Sequence, residues 1–199
     1  GLKANLRTTF LKMTDDLLAK TDKPTAYRKL LFGLCFFHAL VIERKKFGPL
    51  GWNVSYAFNE TDLDICIAQL ELYVNTYAQI PYKVLQQLTS VVNYGGRITD
   101  DKDMRTADIV VADFLTPQIL SDNYKFSRSG VYYSILADEA SPLKSYLDYI
   151  DALPLAPDPE VFGMHDNASI SCALAEADEI CGLVLALQPR SSGGAGGLS

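Results

Sequence analysis

The chain has 199 residues, of which 48% are hydrophobic and 21% are charged, and its net charge is −6 at pH 7. This length is sufficient for one globular domain with a substantial core. The 18 Lys and Arg residues against 24 Asp and Glu residues argue against the basic surface needed to bind nucleic acid or an anionic membrane. We therefore expect neither nucleic acid nor a membrane among the partners.

The first two predicted helices differ in how much of their surface is apolar. The first, about 5–20, carries a single apolar stripe from Leu6 to Leu17. The second, about 25–46, is apolar on nearly every side, and its longest apolar run, Leu30–Ile42, is shorter than the ~18 residues that cross a bilayer. We interpret it as the central helix of the core, ending in a solvated basic turn at Arg44.

The next two helices have clear start signals. Asn59 is a good N-cap for a third helix that extends to Tyr77. Pro81 begins a fourth helix that extends to about Asn93, where the glycine pair 95–96 follows. The residues predicted to face inward are Leu63, Ile67, Leu70, Val74 and Tyr77 in the third helix and Val84, Leu85, Leu88 and Val91 in the fourth.

A fifth helix begins at Thr99 or Asp100 and ends near Pro117. Asp100, Asp101 and Asp103 in its first turn suit the helix dipole. They lack the ligand spacing of an EF-hand, so we interpret them as stabilising the helix start and not as a metal site.

The last third of the chain is less regular. Residues 124–135 are consistent with a short hairpin or an ordered loop, and a helix follows from Pro142 to Leu153. A last helix, about 167–187, precedes a Gly- and Ser-rich linker, 188–199. The residues of this last helix predicted to face the core are Ile170, Leu174, Ala177, Cys181 and Val184. The fold class is mainly α, a helical bundle over 1–187 with little or no β-structure.

Searches for catalytic chemistry give weak signals. The glycine-rich tail has Leu198 where a phosphate-binding loop needs lysine. His38 lies in the most apolar helix, which favours a buried histidine with a satisfied hydrogen bond. His165, next to Asp166, is a candidate general base, but capping of a helix or packing at an interface is the better interpretation. The four cysteines stand singly, which predicts reduced, buried, small hydrophobic side chains.

Two residues have alternative roles that the sequence leaves open. Trp52, the only tryptophan, lies on a Gly- and Pro-rich turn, where it either covers the local core or contacts another molecule. Arg97 either pairs with the aspartates that follow it or reaches a neighbouring domain.

Several long motifs occur in an order that resembles dynein heavy chains. They are KLLFGLCFFHALVIERKKFGPLGW at 29–52, continuing into NVSYAFNETDL, then NYGGRITDDKD at 93–103, LPLAPDPEVFGMHDNASI at 153–170, and QPRSSGGAGG. The resemblance extends over nearly the whole chain, including GLKANL at its start. The forms FGPLGWN and FGMHDNA resemble the axonemal, ciliary branch of that family.

The resemblance implies a small helical lid subdomain of the sixth AAA+ unit of an ATP-driven motor. It implies no catalytic residue and no cofactor in this segment, with ATP and Mg bound at other units. The implied partners are neighbouring AAA+ subdomains of the same chain, microtubules through a remote stalk, and dynein intermediate and light chains through the tail. The implied location is the cytoplasm and the axoneme of a cilium or flagellum, within the cytoskeleton.

The residues of these motifs that we consider interface candidates are Trp52, Asn53, Tyr94, Arg97, Asp100, Asp101 and His165. Together with its linker-like end, the lack of an initiator methionine leads us to expect a piece of a longer chain. The alternative is a free-standing helical adaptor that binds a partner helix in an apolar groove.

Overall fold

The computed structural model describes residues 1–187, and the predicted linker 188–199 lies outside that range. The described part has eight α-helices and no β-strand, so the mainly α fold is confirmed. The helices are α1 Leu2–Phe10, α2 Asp15–Leu18, α3 Pro24–Glu43, α4 Glu60–Thr76, α5 Tyr82–Gln87, α6 Asp101–Phe114, α7 Pro142–Ala152 and α8 Ala168–Leu187. Short 3-10 turns span Arg44–Leu50, Pro117–Leu120 and Pro159–Phe162, and a π-helical turn spans Leu88–Asn93.

Helix α3 is the centre of the core, as its composition predicts. It packs against α1, α4 and α6, and its aromatic side chains Phe32, Phe36 and Phe37 are fully buried. The helical stretch Pro24–Leu50 is long and apolar enough to cross a membrane, but 83% of its most apolar window is buried inside this fold. Its apolar surface is therefore covered by the chain itself.

The first predicted helix is wrong in its extent, because the structure has two helices there. α1 ends at Phe10, and Thr14 begins α2 by accepting a hydrogen bond from the Leu17 backbone N–H at 3.2 Å. A threonine side chain that bonds to the backbone in this way competes with a continuous helix. After the break Leu18 is fully buried in the core, and Leu17, the residue predicted to face inward, is half-buried against it.

Helix α4 begins as predicted, and only the end of its stripe differs. Asn59 and Asp62 form a reciprocal capping box. Leu63, Leu70 and Val74 are buried, but Tyr77, at the end of the helix, is 48% exposed.

The inward face of the fourth predicted helix is partly wrong. Leu85 is buried, but Val84 and Val91 are exposed, and Thr89 and Ser90 are buried. The cause is the π-helical turn Leu88–Asn93, whose wider backbone spacing shifts the register that a regular α-helix would keep.

The region 124–135 is an ordered loop, the second of the two structures that its sequence allows. A single antiparallel bridge joins Lys125 and Tyr133. Phe126 N–H donates to the Tyr132 carbonyl at 2.8 Å, and Ser134 N–H donates to the Tyr124 carbonyl at 2.7 Å.

The predicted burial of the last helix is wrong. In α8 only Ala168 is buried, and Leu174 is 63% exposed. Cys181 is exposed and Cys172 is half-buried, whereas Cys35 and Cys66 are buried as predicted. Most apolar side chains of α8 are exposed in the described residues, so its periodicity predicts the helix but not its burial.

Candidate functional site

Trp52 packs in the interior of the domain and is 4% exposed. Its Nε1–H donates to the carbonyl of Val41 in α3 at 2.9 Å. Its ring makes edge-on contacts with Tyr56 and Phe58, with ring centroids 5.8 and 5.7 Å apart. Of the two roles considered for Trp52, packing in the core is the one that this geometry supports.

The turn that carries Trp52 depends on two glycines. Gly48 has a positive φ of 54°, a conformation that favours glycine. At Gly51 a Cβ atom would lie 1.8 Å from the Arg44 carbonyl oxygen, so no larger residue fits. The backbone therefore folds tightly back onto the end of α3, and the indole ring of Trp52 packs against that end.

Arg44 is buried beside Trp52, which corrects the interpretation of this residue as a solvated helix end. It is 6% exposed, and its guanidinium carbon lies 5.3 Å from the Trp52 ring centroid. Its Nε donates to the Gly51 carbonyl at 3.2 Å, and its Nη1 donates to the Phe162 carbonyl. Burial lowers the pKa of Arg44 to about 10, so the side chain keeps its charge at pH 7.

Asp103 joins the start of α6 to the loop segment after Trp52. Its carboxylate accepts hydrogen bonds from the backbone N–H groups of Asn53 and Val54, at 2.9 and 3.1 Å. It also accepts the Tyr56 hydroxyl at 2.8 Å. The side chain is 3% exposed, and its three donors satisfy a charge that would otherwise be costly to bury. We call Arg44, Trp52, Tyr56 and Asp103 the Trp52 cluster.

Asp100 is the N-cap of α6. It accepts the backbone N–H groups of Lys102 and Asp103 at 2.9 and 3.0 Å and the Asn53 side-chain amide at 3.1 Å. The hydrogen bond from Asn53 is the main reason that the pKa of Asp100 is lowered. Asp101 is exposed on the first turn. Within 1–187 no group of acidic, His or Cys side chains is arranged to hold a metal.

Arg97 pairs with a carboxylate that the sequence did not suggest. Its Nε lies 2.9 and 2.8 Å from the two carboxylate oxygens of Asp62 in α4, and not beside the aspartates of α6. Asp62 also accepts the Asn59 backbone N–H at 2.9 Å. The Arg97 side chain is 39% exposed, and that of Asp62 is 9% exposed, so this ion pair lies at the edge of the domain.

His38 is a core histidine with a satisfied hydrogen bond, as predicted. Its Nδ1 lies 2.6 Å from the hydroxyl of Tyr94, and Tyr94 is fully buried. Burial lowers the pKa of His38 to about 4, although Asp62, Glu60 and Asp64 act in the opposite direction. The imidazole is therefore neutral at pH 7.

His165 lies apart from this region, at the start of α8. It is exposed, and its Nδ1 accepts the Asn167 backbone N–H at 3.2 Å. Its carbonyl accepts the Ala168 backbone N–H at 2.8 Å. This is helix capping, one of the two preferred interpretations of His165; the other, packing at an interface, stays a prediction.

Five of the seven interface candidates come together in one region. A chain of rings from Trp52 through Phe58 to Tyr94 connects Asn53 and Asp100 on one side with the part of the chain that contains Arg97. Trp52 and Tyr94 are inside this region, whereas the others reach its surface. That these residues contact neighbouring subdomains stays a prediction.

Sequence reasoning missed Arg44 as a member of this region. The position of Arg44 in the sequence could have indicated its burial. A cation that directly follows a buried helix and precedes a glycine turn is close to aromatic and carbonyl groups. The charged neighbours Lys45 and Lys46 hid this signal, since the three together look like a solvated run.

Comparisons with known proteins agree with the motifs and the helical fold. A family model described as the dynein heavy chain AAA lid domain matches residues 27–168. The chain is 45% identical to dynein axonemal heavy chain 1 of Rattus norvegicus over 192 residues, which is 96% of this chain and 4% of that protein. It is 42% identical to dynein axonemal heavy chain 6 of Homo sapiens over 199 residues, which is 100% of this chain and 5% of that protein. It is 47% identical to dynein axonemal heavy chain 12 of Mus musculus over 176 residues, which is 86% of this chain and 6% of that protein. The chain thus spans a small fraction of the length of these relatives.

Proposed function

Because the chain belongs to the dynein heavy chain AAA lid domain family, we propose that it is the non-catalytic lid of the sixth AAA+ unit in an axonemal dynein motor. In this role the domain packs between neighbouring subdomains of the motor ring. It transmits the rearrangements that ATP drives at other units toward the microtubule-binding part of the motor. Family membership favours this role over a free-standing adaptor.

The observation that carries the proposal is the Trp52 cluster. It fixes the end of α3, the turn after it, the start of α6 and the segment that ends at Phe162 to one another through buried contacts. A domain whose distant segments are fixed in this way moves as one body, because its buried polar groups have no alternative partners. Transmission of a displacement requires such rigidity.

The cofactors and partners of the motor follow from the same proposal. This segment binds no cofactor, and ATP and Mg bind at other units of the full heavy chain. Its direct partners are the adjoining AAA+ subdomains. Microtubules bind through the stalk, and intermediate and light chains bind through the tail. The motor works in the axoneme of a cilium or flagellum, after synthesis in the cytoplasm.

A test of this function compares a buried and an exposed aspartate of the full-length heavy chain. Asp103→Asn weakens the buried contacts with Asn53 and Tyr56, whereas Asp64→Asn changes an exposed residue of α4. We expect Asp103→Asn to reduce the stimulation of ATP hydrolysis by microtubules and the velocity of microtubule gliding, with the unstimulated hydrolysis rate kept. Asp64→Asn should retain both the stimulation and the gliding velocity.

Full stimulation and gliding velocity in Asp103→Asn would contradict a mechanical role for the cluster. Binding or hydrolysis of Mg-ATP by the purified segment 1–199 would contradict the non-catalytic part of the proposal.

A further inference from the structure

A small cavity lies where the start of α3 meets α7 and the loop that precedes α7. Its volume is about 20 Å³, and its lining includes Arg28 and Lys29 of α3, Tyr146 of α7 and Glu139 of the loop. A cavity of more than about 10–15 Å³ can hold one guest of the size of a water molecule. The polar groups around the cavity therefore decide which guest it takes.

The Tyr146 hydroxyl at this cavity is a buried donor without a partner. The residue is 1% exposed, and within residues 1–187 its hydroxyl makes no hydrogen bond. Its ring is stacked on Phe32, with the ring centroids 5.1 Å apart, so core packing holds the hydroxyl in place. Burial raises the pKa of Tyr146 well above its usual value, so the hydroxyl keeps its proton and can donate a hydrogen bond. A buried polar group of this kind is costly unless a partner satisfies it.

Arg28 brings a buried positive charge to the same cavity. The residue is 7% exposed, and its Nε donates to the Pro24 carbonyl of its own helix at 3.1 Å. None of the ion pairs among residues 1–187 includes its guanidinium. A buried cation without a counter-charge is unfavourable, so the surroundings of Arg28 favour an anion.

Lys29 adds to the positive charge on this part of α3. It is 2% exposed, and its Nζ donates to the carbonyls of Leu120 and Ser121 at 3.1 and 3.2 Å. Its ion-pair partner Asp122 lies 3.6 Å away and is 79% exposed, so water and salt screen the charge of that carboxylate. Two buried cations therefore adjoin the cavity, and the carboxylate nearest to Lys29 lies in solvent.

We propose that the cavity lined by Arg28 and Tyr146 binds a single small monovalent anion of the halide class, such as chloride. The Tyr146 hydroxyl and the Arg28 guanidinium donate to the ion, and Lys29 contributes charge. A water molecule would accept from Tyr146 but would leave the charge of Arg28 uncompensated. The bound ion joins the start of α3 to α7. This inference goes beyond the proposed function and does not depend on it.

Glu139 offers a specific alternative to a free anion. It is exposed on the loop that lines the cavity, and its own carboxylate is a possible counter-charge for Arg28. The two possibilities differ in the effect of Glu139→Gln. If a free anion occupies the cavity, removal of the nearby negative charge strengthens anion binding. If the Glu139 carboxylate is the counter-charge, the unmodified chain shows no dependence on the anion.

The test is hydrogen exchange, measured by mass spectrometry on the full-length heavy chain in sodium chloride and in sodium gluconate of equal ionic strength. Gluconate serves as the reference because it is too large for the cavity. A ligand that binds the folded form slows exchange by a factor of 1 + [L]/Kd, which is about threefold when chloride is at twice its Kd. We expect this slowing in the amides of 143–150 on α7, with saturation as chloride replaces gluconate.

The amides of 60–76 are the internal control, because α4 does not line the cavity. They should exchange at the same rate in the two salts. Exchange of 143–150 that is independent of chloride would overturn the proposal. An equal change in both helices would also overturn it, because it would show a general effect of the salt.

A matched pair of tyrosine variants locates the ion. Tyr146→Phe removes the hydroxyl at the cavity, whereas Tyr132→Phe removes another buried hydroxyl without a partner, outside the cavity lining. Tyr146→Phe should raise the chloride concentration for half-maximal slowing by about tenfold, the effect of losing one hydrogen bond to a charged group. Tyr132→Phe should leave that concentration unchanged. Equal concentrations for the two variants would contradict the assignment of the ion to this cavity.

Two charge variants complete the test. Arg28→Gln should abolish the dependence on chloride, and Glu139→Gln should lower the concentration for half-maximal slowing. A retained dependence in Arg28→Gln, or a raised concentration in Glu139→Gln, would overturn the proposal. If Arg28→Gln does not fold, the unmodified chain and the two tyrosine variants still decide.

Discussion

Helices α3 and α8 have the same length and similar apolar sequences, but they lie in opposite environments. Each has 20 residues. In α3 the side chains of Leu30, Leu31 and Phe32 are fully buried, whereas in α8 Leu183 is 59% exposed. Both would be assigned to a protein core from composition alone.

The difference lies in what surrounds each helix. α3 is covered by α1, α4 and α6 of its own chain, and the Trp52 turn closes its end. Among the described elements, α8 packs mainly against the turn Arg44–Leu50, and the α8 residues that face this region, Ser169, Cys172, Ala173 and Glu176, are small or polar. The apolar composition of a helix therefore indicates that the helix is buried. It does not indicate which part of the protein covers it.

The largest expected effect comes from removing the aromatic ring that closes α3. Trp52→Ala should lower the free energy of unfolding of the segment 1–199 by about 3–5 kcal/mol, because the ring and its bond to Val41 are buried. Leu174→Ala in α8 should change it by less than about 0.5 kcal/mol. Denaturant titration of both variants measures the two changes in the free energy of unfolding. Similar changes would contradict the difference in burial between α3 and α8.

Acid should destabilise the α3 region through His38. Its pKa is lowered from 6.5 to about 4 by burial, so the unfolded chain takes up a proton before the folded chain does. Stability is therefore lost as the pH falls from about 6.5 to about 4, by on the order of 3 kcal/mol. His38→Gln retains an acceptor for Tyr94 but does not titrate, so its stability should fall less over this range. The free energy of unfolding is measured between about pH 7 and about pH 4 for the unmodified segment and for His38→Gln. An equal fall in both proteins would contradict the prediction.

A glycine in each helix gives the smallest and most closely matched comparison. At Gly33 in α3 a Cβ would lie 2.5 Å from Ile119 Cδ1 and 2.7 Å from the Phe114 carbonyl oxygen, whereas at Gly182 in α8 it would meet nothing within 4 Å. Gly33→Ala should destabilise the segment by about 1–3 kcal/mol through overpacking. Gly182→Ala should raise the helicity of α8, since alanine favours a helix by ~1 kcal/mol.

Circular dichroism and thermal unfolding measure both changes. A stabilising Gly33→Ala would show that α3 has more room than the packing indicates. A destabilising Gly182→Ala would show that α8 is covered within the segment.

The helices themselves were largely predictable because their local signals are strong. Asn59 caps α4 as predicted, in a capping box with Asp62, and Asp100 caps α6. The break at Thr14 and the π-helical turn before Tyr94 were not predicted, since both depend on local backbone choices that compete with regular periodicity.

The sequence motifs supplied candidate residues, but they did not predict the contacts among those residues. Asn53 and Asp100 belong to different motifs, and the hydrogen bond between them was not predicted. The pairing of Arg97 with Asp62 joins residues 35 positions apart, and the bond of Arg44 to Phe162 joins residues 118 positions apart. Tertiary packing decides such contacts, and periodicity within one helix contains no information about them.

The most direct test of the contrast between α3 and α8 is hydrogen exchange, measured by mass spectrometry on the segment 1–199 and on the full-length heavy chain. In the segment, amides of 24–43 should be strongly protected and those of 168–187 weakly protected, because an isolated exposed helix is marginally stable. In the full-length chain both helices should be protected. Equal protection of the two helices in the segment alone would contradict the account, because it would mean that α8 already has its partner within these residues.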